Sequence, residues 1–205
     1  MPDDGKGIVS HAGAVLLIET ARVAGLQAGL SQALARWRLP RAVHDPGKVV
    51  LDLAVAVALG GDCLAGVLRA EPALFGPVAS DPVNSRLIGR LAADAPAALK
   101  ALAGAQAEAR ARAWRLAEQS APGGDGGLIP VDIDATLVTA HSDKEQAAPT
   151  WRKGYGFHPL TVFADHGTEG NGEPLAIVLR PGYAEFNTAA DHIEATRLAL
   201  AQLLG

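Results

Sequence analysis

A chain of 205 residues, 49% of them apolar, is long enough for one large domain or two small ones around a sizeable core. Its net charge of −4 argues against a uniformly basic nucleic-acid binder, so any grip on phosphates has to come from local clusters of arginine and lysine. The lone Cys63 excludes an intrachain disulfide or a multi-cysteine zinc cage, which suits a reducing cytoplasm, and the acidic start and short apolar runs lead us to expect neither a secretion signal nor a membrane anchor.

From Gly13 to Arg38, the apolar residues Val15, Leu16, Ile18, Val23, Leu26, Leu30 and Leu34 recur at helical spacing. They predict two short helices, broken near Gly25 and Gly29 and stopped by Leu39-Pro40. Three arginines, Arg36, Arg38 and Arg41, form the first basic cluster. After a turn at His44-Asp45-Pro46-Gly47, an apolar helix from Lys48 to Leu59 is expected to lie in the core of a bundle and to end at Gly60-Gly61. Ser80-Asp81-Pro82 predicts the next helix start, with a Ser or Asp side chain as cap, running through Arg86, Leu87, Ile88 and Arg90 to about Leu91. Arg86 and Arg90 lie four apart on one face, either to contact DNA or as part of a solvated surface. Asp94-Ala95-Pro96 opens a long helix, Ala97 to Glu118, extending roughly 33 Å. Its basic residues Arg110, Arg112 and Arg115 admit the same two readings.

The glycine-rich segment 121–127 is the clearest linker, and beyond it the periodicity changes from helical to alternating. Strands are predicted at Leu128–Thr139, His158–Ala164 and Pro174–Leu179, the last two joined as an antiparallel hairpin through the glycine-rich 165–172. Asn187 is expected to cap a final helix, Thr188–Leu204, burying Ala190, Ile193, Leu198, Ala201 and Leu204. The fold class is therefore α+β: a helical region over 1–120, the linker 121–127, and a strand-rich region over 128–205.

The chemistry concentrates in Val131-Asp132-Ile133-Asp134-Ala135-Thr136-Leu137. Alternation along a strand places Asp132, Asp134 and Thr136 on one face, with the two carboxylates roughly 6.6 Å apart, and Val131, Ile133, Ala135 and Leu137 on the other. Carboxylates on an otherwise apolar strand need a cation, a donor or water to offset their desolvation. A plain edge strand with two solvated acids is the simplest alternative. The D-x-D-x-T spacing also resembles the haloacid-dehalogenase-like phosphohydrolases, in which Asp132 would be the nucleophile and Asp134 the acid/base. That family implies strands alternating with helices and a later acidic pair, whereas here strand follows strand.

A series of ordered segments carries a second resemblance. Ser10-His11-Ala12-Gly13, Val43-His44-Asp45-Pro46-Gly47-Lys48, Leu59-Gly60-Gly61-Asp62-Cys63-Leu64 and Val78-Ala79-Ser80-Asp81-Pro82 resemble the helical N-terminal region of group-1 DDE transposases from actinobacterial insertion sequences. Asp132-Ile133-Asp134-Ala135-Thr136, Gly154-Tyr155-Gly156-Phe157-His158-Pro159-Leu160 and Asn187-Thr188-Ala189-Ala190-Asp191-His192 are similar to the start of their catalytic domain. The resemblance implies a ribonuclease-H-like core with three antiparallel strands and a helix, followed in the family by a parallel strand with the second aspartate and a helix with a glutamate. Those acids would hold two Mg²⁺ or Mn²⁺ ions roughly 3.5–4 Å apart. The matching first acid is Asp134, followed by Ala135 and Thr136, with Asp132 as a neighbour that orients or tunes it. DNA carrying transposon terminal inverted repeats is the implied partner of the helical region, and a homodimer is compatible with it.

Arg152 and Lys153, between Trp151 and Tyr155, would hold a DNA backbone or stack on a base, or simply form a solvated loop. His158 is expected to be structural and His166 solvated. Relative to the family, 64–69 looks abbreviated, Val83-Asn84 and Tyr183-Ala184-Glu185-Phe186 are unusual, and the acids after Asp134 are missing. The chain is thus expected to be a truncated or frame-interrupted copy, inactive alone in cut-and-paste DNA recombination and prone to self-association through an exposed sheet edge. A non-catalytic DNA-binding fragment using only Gly13 to Glu118 is the remaining alternative.

Overall fold

A computed structural model of the chain describes residues 6–61, 66–69, 72–123, 126–140, 144–167, 172–184 and 188–203. Cys63, Asn187, Leu204 and linker positions 124 and 125 lie outside the described residues. Two compact units are present, Met1–Ala113 and Trp114–Gly205.

The first unit is helical. Helix α1 (Lys6–Val23) gives way to α2 (Leu26–Ala33) at Gly25, whose φ of 79° is a left-handed conformation that glycine adopts without steric cost. Contrary to the sequence reading, Gly29 does not break α2; it lies inside the helix, where an added Cβ would meet Ala105 Cβ at an ordinary contact distance of 3.6 Å. A 3₁₀ turn, Ala35–Trp37, follows. Helix α3 (Pro46–Ala58) starts with Asp45 as cap, its Oδ1 accepting the Lys48 amide at 3.0 Å, and with proline in the first turn, where no amide is needed. The expectation of all-round burial is corrected: α3 buries Val49, Leu51, Val55 and Ala56, while Val57 is 72% exposed. Its apolar composition exceeds what its neighbours cover.

Short helices α4 (Gly66–Arg69) and α5 (Pro72–Phe75) contribute Leu68 and Phe75 to the main core with Ala14, Ala21, Leu30, Leu51, Val55, Ala56 and Ala105. Helix α6 (Asp81–Ala92) starts where predicted, but the Ser80 side chain makes no capping bond; Pro82 and the Asp81 charge in the first turn favour the start instead. Arg69 holds the Asp81 carboxylate through both guanidinium ends at 2.8 and 3.2 Å, and this hydrogen bond draws the Asp81 pKa down. Helix α7 runs from Ala95 to Ala117, two residues earlier at its start than expected, and the division between the units falls inside it. Among the described residues no single helix is long and apolar enough to cross a membrane; α1 and α2 pass on composition only as a pair bent by 65°.

Among the described residues the second unit holds six short strands. The predicted strand 128–139 is in fact two, β1 (Val131–Ala135) and β2 (Val138–Thr139), in different sheets. The predicted strand 158–164 is β5 (Leu160–Ala164), starting two residues later because proline has no amide to give a ladder, and an unpredicted strand, β4 (Tyr155–Phe157), precedes His158-Pro159. With β3 (Ala148–Pro149) and β6 (Glu173–Val178), they form two three-stranded sheets, ordered β1-β5-β6 and β2-β4-β3. All pairings are antiparallel, including the predicted β5/β6 hairpin.

Helix α8 (Ala189–Leu203) packs on β5 and β6. Its buried residues are Ala195, Ala199 and Gln202, at spacings of four and three, rather than the expected Ala190, Ile193, Leu198 and Ala201; Ile193 is 52% and Leu198 45% exposed. Alanine's small size lets the helix approach Leu160, Val162, Ala164 and Leu175, and Ala190 and Ala201 turn outward. Burying Leu160 and Val162 contributes roughly 1.5–3 kcal/mol each. At its start, Thr188 is the visible cap: its hydroxyl accepts the Asp191 amide at 3.2 Å and Asp191 Oδ2 accepts the Thr188 amide at 3.0 Å. The Thr188 amide and Arg180 together hold the Asp191 carboxyl below its usual pKa.

Candidate functional site

The register settles the faces of β1. Val131, Ile133 and Ala135 lie opposite Ala164, Val162 and Leu160, the buried residues of β5, so they share the side on which α8 packs. Asp132 and Asp134 lie opposite Phe163 and Thr161 on the other side. The predicted separation of acids from apolar residues therefore holds. The apolar side of β1 is nevertheless not sealed, because α8 covers β5 and β6: Val131 is 40% and Ile133 36% exposed. Strand β1 is one of the two edge strands of its sheet, the placement offered by the edge-strand alternative.

Asp134 is exposed, and its Oδ1 accepts the Ala135 amide at 2.8 Å. One carboxylate oxygen is thereby oriented and the other is left for an incoming donor or cation. Its main-chain carbonyl accepts the Thr161 hydroxyl at 2.9 Å, and the amide of exposed Thr136 donates to the Pro159 carbonyl at 3.2 Å, so the backbone around Asp134 is pinned to the neighbouring strand on both sides. Asp132 is exposed too. Among the described residues no group of three or more His, Cys, Asp or Glu side chains converges in a way that would hold a metal ion. Asp134 offers the hard oxygen that Mg²⁺ or Mn²⁺ prefers, yet a two-metal centre needs more carboxylates than this strand brings together.

The basic residues fall into distinct settings. Arg86 is exposed on α6 and donates from Nε to the Pro82 carbonyl at 2.9 Å, whereas Arg90 is half-buried with its Nε out of solvent and without a hydrogen-bond partner. The two do not present one free cationic face. In the first cluster, Arg36 is neutralised by Asp94 at 2.6 Å and stacks on Trp37, and Arg38 stands 3.9 Å from Asp45. Arg152 and Lys153 are exposed at the tip of the β3/β4 hairpin, Arg152 lying over the Trp151 ring at 4.7 Å.

His158 is structural, its Nδ1 lying 2.9 Å from the Ala184 carbonyl. Its own carbonyl accepts Nε of Arg180, a buried arginine that sequence reasoning missed; Arg180 also reaches Asp191 at 3.1 Å, tying the end of β6 to α8. His166 is not merely solvated: Nε2 lies 3.1 Å from Glu173 Oε2, which also accepts Trp114 Nε1 at 3.0 Å, and the two rings meet edge-on. The spacing Thr188-x-x-Asp191 signals a capping pair in the sequence itself. The trio Trp114, His166 and Glu173 carries no such local signal, its tryptophan and glutamate standing 59 positions apart.

The antiparallel β1-β5-β6 sheet, with no helix between its strands among the described residues, does not have the alternating layout implied by the phosphohydrolase resemblance. Comparison with known families bears on the other one: the family model for the transposase DDE domain, group 1, matches residues 1–204, and the chain belongs to that family. No curated protein and no solved structure gives a significant match.

Proposed function

We propose that this transposase-family chain serves cut-and-paste transposition of an insertion sequence, with Asp134 as the first catalytic acid of a ribonuclease-H-like fold and DNA in the cytoplasm as its partner. The observation that carries the reading is the family match over 1–204 combined with the position of Asp134, on the first strand of an antiparallel sheet backed by a helix. Transposases of this kind generally use divalent metal ions, which activate a water or a 3′-hydroxyl and stabilise the leaving oxygen. Asp134 would contribute one ligand, and Asp132 and Thr136 would orient the strand beside it. Because the described carboxylates do not assemble a complete metal centre, no strand-transfer step is assigned to this polypeptide by itself.

The helical region 1–120 is assigned to recognition of terminal inverted repeats, with exposed Arg86 the more accessible of the two arginines on α6 and Arg90 held at its margin. A homodimer would bring two such regions to the paired ends of an element. The test is binding of the chain to duplex DNA with and without terminal repeats over a salt series, together with a Mg²⁺- or Mn²⁺-dependent cleavage assay. Salt-sensitive, repeat-preferring binding without turnover is expected. Failure to bind DNA would refute the reading. Turnover lost in Asp134→Ala would uphold the role of Asp134 and overturn the inactivity of the chain alone.

A further inference from the structure

The tip of the β3/β4 hairpin, residues 150–154, carries Arg152 and Lys153, which the sequence offered as DNA contacts or as a solvated loop. Trp151 is 68% exposed, an unusual position for the side chain with the largest apolar surface. It stands on a turn with a defined backbone: the Thr150 amide donates to the Gly154 carbonyl at 2.9 Å, the Lys153 amide to the Thr150 carbonyl at 3.0 Å, and the Gly154 amide to the Thr150 hydroxyl at 3.1 Å. Lys153 holds a φ of 61°, a left-handed conformation that costs a residue with a side chain about 1 kcal/mol. The turn thus holds a lysine in a conformation that glycine adopts more readily.

Arg152 covers one face of the Trp151 ring at 4.7 Å, leaving the other for a second flat partner. Neither Arg152 nor Lys153 forms an ion pair with a carboxylate among the described residues, in contrast to Arg36, Arg69 and Arg180. An exposed indole, a stacked guanidinium and an adjacent ammonium on a rigid turn match the chemistry of an unpaired nucleotide, whose base stacks and whose phosphates take the cations. A base inside a duplex is stacked on both sides and offers no face to the ring.

We propose that the 150–154 tip is a binding site for single-stranded DNA, with Trp151 stacking on a base and Arg152 and Lys153 neutralising the flanking phosphates. This inference rests on the transposase reading for the choice of DNA, and adds a preference for unpaired over paired strands.

The probe is a labelled oligothymidylate of about 12 nucleotides, compared with a duplex of equal length, titrated with the full chain and followed by fluorescence anisotropy. Trp151→Ala is expected to weaken single-strand binding about 5- to 150-fold, to leave duplex binding unchanged, and to be largely rescued as Trp151→Phe. The double variant Arg152→Gln/Lys153→Gln should lower the salt slope of single-strand binding by about 1.4. Because all three side chains are exposed, far-UV circular dichroism should not change, and it serves as the folding control. Unchanged single-strand affinity in Trp151→Ala overturns the proposal, as does equal weakening for both forms of DNA. If the wild-type chain binds duplex alone, only this inference fails; if it binds neither form, the transposase reading fails with it.

Discussion

Replacing Asp45 with alanine removes a helix cap and an inter-helix hydrogen bond at once. Its Oδ1 caps α3 by accepting the Lys48 amide at 3.0 Å and accepts the Ser31 hydroxyl of α2 at 2.7 Å, joining two helices that supply the main core. Loss of the cap costs about 1 kcal/mol. Loss of an ionised acceptor costs about 1.5–3 kcal/mol, reduced here because Ser31 is only half-buried and water replaces part of the bond. A net loss of about 2–3 kcal/mol follows, equivalent to a fall of roughly 1 M or more in the urea midpoint of the helical signal. Asp45→Asn keeps a capping oxygen and should lose about half as much.

The acid limb supplies a second readout. Burial raises the Asp45 pKa, but hydrogen bonds from Ser31 and the Lys48 and Gly47 amides, with the charge of Arg38, outweigh it and leave the pKa lowered. A carboxyl with a lowered folded pKa binds fewer protons folded than unfolded, so its contribution is present above the unfolded value of about 3.9 and disappears as pH falls through the folded one. The gap between wild type and Asp45→Asn should therefore narrow below about pH 4. An alanine variant with the wild-type urea midpoint, or a gap that stays constant into acid, would refute the account.

Gly47→Ala should destabilise the same junction by about 1–3 kcal/mol or more in urea, because its Cβ would lie 2.2 Å from the Ser31 backbone nitrogen and force α2 and α3 apart. Gly104→Ala is the control: nothing lies within 4 Å of its Cβ, and helix propensity alone should stabilise α7 by about 0.5–1 kcal/mol. Asn84 is 1% exposed with both side-chain polar atoms lacking a partner, so Asn84→Leu should raise the thermal midpoint, and a lower one would show that the amide is satisfied in solution. Glu173→Ala leaves the half-buried Trp114 indole without its acceptor and should cost about 1–3 kcal/mol; a double-mutant cycle with Trp114→Phe should show coupling, and strict additivity would argue against the bond.

The helix start at Ser80-Asp81-Pro82 was legible because proline and an acid act within one turn of chain, whereas Asp45-Pro46, read as part of a turn, is itself the cap and first residue of α3. Asp134 and its face were legible for the same reason: strand alternation is local, and the register with β5 only repeats it. The edge placement of β1 with two exposed acids was one of the alternatives the sequence left open, since neighbour choice in a sheet depends on segments far apart in the chain.

The sequence by itself determined what backbone geometry and nearest neighbours control: the α+β order of elements, the α1/α2 break at Gly25, the β5/β6 hairpin, and the side of β1 that carries the acids. Tertiary structure alone decided which apolar surfaces are covered and which charges find partners. Alanines rather than leucines face the sheet from α8 because close approach rewards small side chains, and Arg180 is buried because Asp191 and the His158 carbonyl meet it there. Such outcomes depend on the distances between packed elements, which no local pattern of residues specifies.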